Sequence, residues 1–213
     1  MGEVLERIAE SLYGGDDRKV SELVNQALQQ GTGAAEVLNG GLMAGMDAVG
    51  RDFKNGDLFV PDVLVAARAM NAGMDILRPL LTAGEIGTSG TCVIATVQGD
   101  IHDIGKNLVR MMMQGAGFKV IDLGTDVSAT AFVDATREHQ PQLIGMSALL
   151  TTTMMGMKDC LDALVAAGLR DTVKVMVGGA PVTQEFADEI GADGYAPDSA
   201  SAVDVARRLV NLG

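Results

Sequence analysis

The chain has 213 residues, enough for one large domain or two small ones with a well-buried core. Its net charge of −12 argues against nucleic acid or an anionic membrane as the main partner. No apolar run approaches the roughly 18 residues needed to span a bilayer. The acidic start Met1-Gly2-Glu3 carries no basic region followed by an apolar core, so no secretory signal is expected, and the protein is expected to be cytoplasmic. Cys92 and Cys160, in segments that read as a strand and a helix, speak against both a disulfide framework and a cysteine zinc site.

Residues 1 to about 83 read as helix only. Val4, Leu5, Ile8 and Leu12 recur at helical spacing, as do Val20, Leu23, Val24, Ala27 and Leu28. Gly14-Gly15 breaks between the two, Asp16 or Asp17 suits the cap of the second, and Gly31 suits its end. A third helix is predicted from about Thr32 to Phe53, with Gly40-Gly41 weakening its middle. After the turn Lys54-Asn55-Gly56-Asp57, Pro61 fits the first turn of a fourth helix reaching about Leu81. Four helices with short connections make a small bundle. Phe59, Val63, Met70 and Met74 read most simply as its core.

The stretch Thr82 to Gly90 is small and Gly-rich, the composition of a linker, assigned to 84–90. Beyond it strands alternate with helices. Strands are predicted at 91–97, 119–123, 142–147, 173–177 and about 193–196, and helices at 104–115, 128–139, 153–167, 183–190 and 199–211. Strands separated by helices pair in parallel through right-handed crossovers. Five such units give an α/β flavodoxin-like (Rossmann-like) domain over 91–213 with strand order 2-1-3-4-5. Its cleft lies outside the carboxyl ends of the strands. The 13 methionines, among them Met111 to Met113 and Met154, Met155 and Met157, serve as flexible core filler or as an adaptable lining for a large flat ligand.

Three loops converge on that cleft. The first holds Asp100, His102, Asp103, Ile104 and Gly105; the second Ser147, Leu149 and Thr151; the third Gly178 and Gly179. A histidine on a strand-to-helix loop, with a carboxylate close enough to hold its second ring nitrogen, is built to ligate a metal. Asp103 suits the N-cap of the following helix, and His139, at a helix end before Pro141, suits a cap favoured by the helix dipole.

Asp-x-His-x-x-Gly, then Ser-x-Leu, then Gly-Gly, on the correct predicted loops, resembles the cobalamin-binding domain of corrinoid proteins. The helical first half, including Phe59-Val60-Pro61-Asp62-Val63-Leu64, looks like the cap bundle that precedes this domain in methyl-transferring members. The layout is similar to the standalone corrinoid proteins of methylamine, methanol, betaine and methoxyl-aromatic systems, and to the corresponding modules of methionine synthase.

The resemblance implies a cobalamin or related corrinoid cofactor with His102 as cobalt's lower axial ligand, in place of the cofactor's own dimethylbenzimidazole. Asp100 would hold the other ring nitrogen and Ser147 would hold Asp100, as a relay. The displaced nucleotide tail would enter beside the first strand. Gly105 and Gly178-Gly179 would let backbone approach it, Ser147 and Thr151 would offer hydroxyls, and Asp103, Ile104 and Leu149 would complete the cofactor contacts. In the bundle, Phe59, Val63, Met70 and Met74 are also candidates to face the corrin's upper side. The implied function is a methyl carrier, not catalytic alone. Its implied partners are a substrate:corrinoid methyltransferase, a corrinoid:tetrahydrofolate or corrinoid:coenzyme M methyltransferase and a reductive activase, with no nucleic acid and no membrane. The bundle would then move off the corrin about hinges in 82–90.

A receiver domain would need a phosphorylatable Asp after the third strand, where Ser147 stands. A protein-only metal hydrolase would need three or more ligands. No phosphate loop or dinucleotide fingerprint is present. A cobalamin-sensing regulator and a cobalamin subunit of an adenosylcobalamin mutase stay open beside the carrier.

Overall fold

A computed structural model describes residues 2–81 and 89–211. They divide into two compact units, one formed by the N-terminal helices with Gln114–Gly117 and one holding the sheet. The proposed hinge segment falls mostly outside the described residues, and Gly90, assigned to it, instead opens the first strand.

In the helical unit, α1 (Gly2–Tyr13) and α2 (Asp17–Gln29) bury the stripes predicted for them; Ile8, Leu12, Val20 and Val24 are fully enclosed. Asp16 caps α2, its carboxylate accepting from the Lys19 N–H. The predicted third helix is α3 (Ala34–Val37), a π-helical turn (Leu38–Met43) and α4 (Ala44–Asn55), running on without a break. Its weak middle at Gly40-Gly41 is that π turn. Glycine's low helix preference lets the ladder widen there. The absence of a side chain also matters for packing: a Cβ on Gly41 would come within 2.9 Å of Ile8, and one on Gly45 within 3.0 Å of the Ala9 carbonyl. The last long helix is α5 (Val60–Leu77), with Pro61 in its first turn and the Asp62 carboxylate accepting from the Phe59 N–H; a 3-10 turn over Arg78–Leu80 follows. Val63 and Met70 are core as expected. Phe59 is not: it sits ahead of the first turn, where it is 68% exposed.

The second unit is a five-stranded, all-parallel sheet in the order β2-β1-β3-β4-β5, as predicted. Its strands are β1 (Gly90–Thr96), β2 (Phe118–Asp122), β3 (Leu143–Ser147), β4 (Lys174–Gly178) and β5 (Gly194–Ala196). The connecting helices are α6 (Ile104–Gly115), α7 (Ala129–His139), α8 (Met155–Ala166), α9 (Gln184–Ile190) and α10 (Ser199–Asn211). The central strands are apolar along their length because both faces are covered. On one face Val93, Ala95, Ile144, Met146, Val175 and Val177 pack with Phe132 of α7 and with Met157, Cys160 and Leu164 of α8. Both cysteines are free and buried. Among the described residues no helix is long and apolar enough to cross a membrane.

Register fixes where the loops leave. Thr96 pairs with Ser147, Ser147 with Gly178 and Gly178 with Ala196, so four strands end in one row. The loops after β1, β3 and β4 therefore emerge side by side.

Candidate cofactor site

Past Thr96 the chain makes a tight turn, with the Asp100 N–H donating to the Val97 carbonyl and Gly99 at φ +83°. This turn drives the Asp100 side chain under the loop, where it is fully buried. Its Oδ1 accepts from the His102 N–H at 3.0 Å and from His102 Nδ1 at 2.7 Å. Its Oδ2 accepts from the Leu149 N–H at 2.7 Å, the Leu150 N–H at 3.3 Å and the Thr153 hydroxyl at 2.8 Å. Desolvation pushes the carboxyl's pKa up, but the hydrogen bonds from Leu149, His102 and Thr153 outweigh it. The group is held well below the ordinary carboxylate range.

An ionised carboxylate only accepts, so Nδ1 carries the hydrogen and, in the neutral ring, Nε2 keeps its lone pair. The ring is half exposed, at 47% for the side chain. Around it Ile101 and Ile104 are each 76% exposed, Leu149 43% and Leu150 42%, an unusual concentration of large apolar surface beside a polar tip. The His102 carbonyl is pinned from below by the buried Thr96 hydroxyl at 2.8 Å. Asp103 stands directly before α6, its carbonyl accepting from the Asn107 N–H; its carboxylate takes the Asn107 side chain. His139 ends α7 with Nε2 3.9 Å from Glu138.

The expected relay changes in one member. Ser147 makes no hydrogen bond to Asp100; the hydroxyl that does so belongs to Thr153. Ser147 is the last residue of β3, tied into the sheet with its carbonyl accepting from the Val97 N–H. The turn that follows folds back and delivers Thr153, 9% exposed, onto Oδ2. The Leu149 contribution is its backbone N–H, and Thr151 is exposed at the turn's outer side.

The glycines differ in kind. Gly179, at φ +126°, would drive a Cβ into the Ala148 carbonyl, and a Cβ on Gly178 would stand 2.9 Å from the Ala196 carbonyl oxygen. The sheet's own backbone therefore demands both. A Cβ on Gly105 would meet nothing within 4 Å. The chain itself sets no steric need for glycine there, so open space remains beside His102 at the start of α6.

The end of β2 and the loop after it hold contacts that residue spacing does not announce. There the Asp126 carboxylate accepts from the Gly99 N–H at 2.7 Å, and Lys106, 3% exposed, donates to both Asp122 oxygens at 2.7 and 2.6 Å. The only signal was a buried-charge match between a helix lysine and a strand-end aspartate, which spacing alone does not reveal.

Among the described residues no group of three or more His, Cys, Asp or Glu could hold a metal ion. A metal at Nε2 would therefore take its other ligands from a cofactor, and the exposed apolar rim suits a broad ring. A parallel α/β sheet that offers one carboxylate-braced imidazole beside such a rim suits a protein that holds a broad, flat metal cofactor. Models of the B12 binding domain match residues 90–204 and, as a separate helical model of the same description, 4–78. The trimethylamine corrinoid protein of Methanosarcina barkeri is 43% identical over 99% of this chain and 98% of its own; a second, from Methanosarcina acetivorans, is 43% identical over 98% and 97%. A cobalamin-binding protein from Desulfitobacterium hafniense superposes with TM-score 0.81, 35% identity and 96% and 98% coverage. The methanol:cobalamin methyltransferase complex from Methanosarcina barkeri gives TM-score 0.88 and 31% identity over 98% of this chain and 80% of that one. The chain belongs to the B12-binding corrinoid proteins, and its cofactor is cobalamin or a related corrinoid.

Proposed function

We propose that the chain is a methyl carrier: a corrinoid subunit that receives a methyl group from a substrate-specific methyltransferase and surrenders it to a second one. The relatives' names support this reading, since trimethylamine corrinoid proteins match nearly end to end and one superposed structure is a methanol:cobalamin methyltransferase complex. The final acceptor is tetrahydrofolate or coenzyme M, and a reductive activase serves the same cycle. Bound cobalamin supplies a metal able to take up and release a methyl group.

The observation that carries the proposal is the Asp100–His102 pair. Nδ1–H is committed to a buried anion, so Nε2 is aimed outward by a ring fixed in tautomer and orientation. His102 would hold the metal, and Ile101, Ile104 and Leu149 would offer apolar contact to the ring. The space beside Gly105 would admit the displaced nucleotide tail, with Asp103 at its edge. Ser147, Thr151 and the Gly178-Gly179 turn, which leave the sheet in the same row, would border its course. Asp100, braced by Thr153, would stay ionised and keep the Nδ1–H of His102 in place. On this reading the chain works as one subunit of a cytoplasmic enzyme system.

The test is to load the protein with hydroxocobalamin and read cobalt coordination by absorption and, after one-electron reduction, by electron paramagnetic resonance. Histidine ligation with the cofactor's base displaced is the expected result, abolished in His102→Ala with some corrinoid still bound. A bound cofactor that keeps its own base on the metal would overturn the ligand role. The reduced holoprotein, given a partner methyltransferase and a panel of methylamines, methanol and methoxylated aromatics, should become methylated by one donor class. The same holoprotein then hands the group to coenzyme M or tetrahydrofolate when the second methyltransferase is added.

A further inference from the structure

We infer that the loop joining β2 to α7 is a clasp for the His102 segment, and that Asp126 is a positioning residue which sets how firmly His102 is presented to the metal. The inference rests on the ligand role proposed above for His102.

The clasp has two jaws. Upstream of His102, Asp126 makes two bonds to consecutive residues: its carboxylate accepts from the Gly99 N–H at 2.7 Å, and its own N–H donates to the Asp100 carbonyl at 2.9 Å. Downstream, Asp122 holds the buried Lys106 ammonium with both oxygens at 2.7 and 2.6 Å, and its Oδ1 also accepts from the Gly124 N–H at 2.9 Å. Between the jaws the loop is stitched to the end of β1. The Thr96 N–H donates to the Gly124 carbonyl, the Val127 N–H donates to the Thr96 carbonyl, and Val97 bridges Val127. Residues 99 to 106 are thus gripped at both ends, by the last residue of β2 and by the loop that follows it.

The conformation of Asp126 is itself informative. It sits at φ +56°, and among the described residues only Gln140 shares a positive φ without being glycine. That region costs a side chain about 1–2 kcal/mol, least for Asp and Asn. Glycine would remove the strain, yet would also remove the carboxylate on Gly99. The chain keeps the strained residue and the bond. Gly99 in turn is at φ +83°, in the turn that drives Asp100 beneath the imidazole. Releasing its N–H loosens the one peptide that fixes where Asp100, and through it the ring, is placed.

The decisive variants are Asp126→Gly, which relieves the backbone and deletes the carboxylate, and Asp126→Asn, which keeps a carbonyl acceptor and tolerates the same φ. Each is loaded with cobalamin, checked for fold by circular dichroism, and reduced to cobalt(II). The nitrogen splitting in electron paramagnetic resonance and the cobalt(II)/(I) midpoint potential are then read. In Asp126→Gly the ratio of histidine-ligated to unligated cobalt should fall roughly three- to tenfold, the usual consequence of losing one such bond. The potential should rise by roughly 30 to 60 mV, the same fold-change at 59 mV per decade for one electron. Asp126→Asn should restore both. Wild-type values in Asp126→Gly overturn the inference, as does an Asp126→Asn that behaves like Asp126→Gly. Wild-type protein lacking the nitrogen splitting would instead overturn the ligand role of His102, which separates the two failures.

Discussion

One carboxylate oxygen of Asp100 takes both the backbone N–H and the ring Nδ1 of His102, at 3.0 and 2.7 Å. The histidine is thereby held at two points by a single atom, which fixes the position of its backbone and the direction of its side chain together. Removing the whole carboxylate leaves five donors facing a void. Buried donors deprived of their acceptor cost about 1–3 kcal/mol each, less where water enters. Asp100→Ala should therefore destabilise the cofactor-free protein by about 3–5 kcal/mol in urea unfolding, with Asp100→Asn falling in between.

The depressed pKa of Asp100 makes a second, signed expectation. Its unfolded value is about 3.9, and the folded value lies well below. The unfolded chain therefore takes up the proton first as pH falls. The stabilisation is present in full above about pH 5 and drains away as pH drops through the unfolded value toward the folded one. The gap in unfolding free energy between cofactor-free wild type and Asp100→Asn, measured from pH 7 down to pH 3, should begin to narrow below about pH 4. A constant gap would show that the charge is not what Asp100 contributes.

Thr153→Val should cost about 1 kcal/mol and weaken histidine ligation, while Thr153→Ser behaves as wild type. Ser147→Ala should leave the downfield proton resonance of the His102 Nδ1–H in place. If Ser147→Ala broadened that resonance and Thr153→Val did not, the assignment of the bracing hydroxyl would be reversed.

The two kinds of glycine separate stability from binding. Gly179→Ala collides with the Ala148 carbonyl and must adopt a φ of +126°, so the variant should lose more than about 4 kcal/mol or fail to accumulate as folded protein. Gly105→Ala meets nothing and adds a better helix former to α6, so the melting temperature of the cofactor-free protein should hold or rise. Its affinity for cobalamin should fall at least tenfold by absorption titration, with the loss reduced for cobinamide, which lacks the nucleotide tail.

Strand order, parallel pairing and the row of converging loops were legible from the sequence because apolar β-branched runs alternating with helical stripes leave few topologies. The Asp100–His102 geometry was legible for a local reason: two residues apart on a tight loop, they can scarcely avoid meeting. The partner on the far side of Asp100 was not. Ser147 and Thr153 are both hydroxyl residues on the correct loop, and the choice between them is made by how the 148–154 turn folds back, which depends on closure against Gly178 and α8 and has no signature of its own. Asp126 escaped for a similar reason, since a lone left-handed aspartate is indistinguishable in sequence from an ordinary polar loop residue. In the helical unit Gly40-Gly41 gave warning of a weak point; that it is resolved as a π turn, with Gly41 closing on Ile8, depended on a contact with another helix.

With Leu149, Leu150 and Thr153 all donating to Oδ2, the negative charge of Asp100 keeps company even when Oδ1 stands alone. The imidazole could thus turn away from Asp100 without stranding an anion in the protein interior. A joint built this way can be let go and retaken many times without loosening the scaffold behind it.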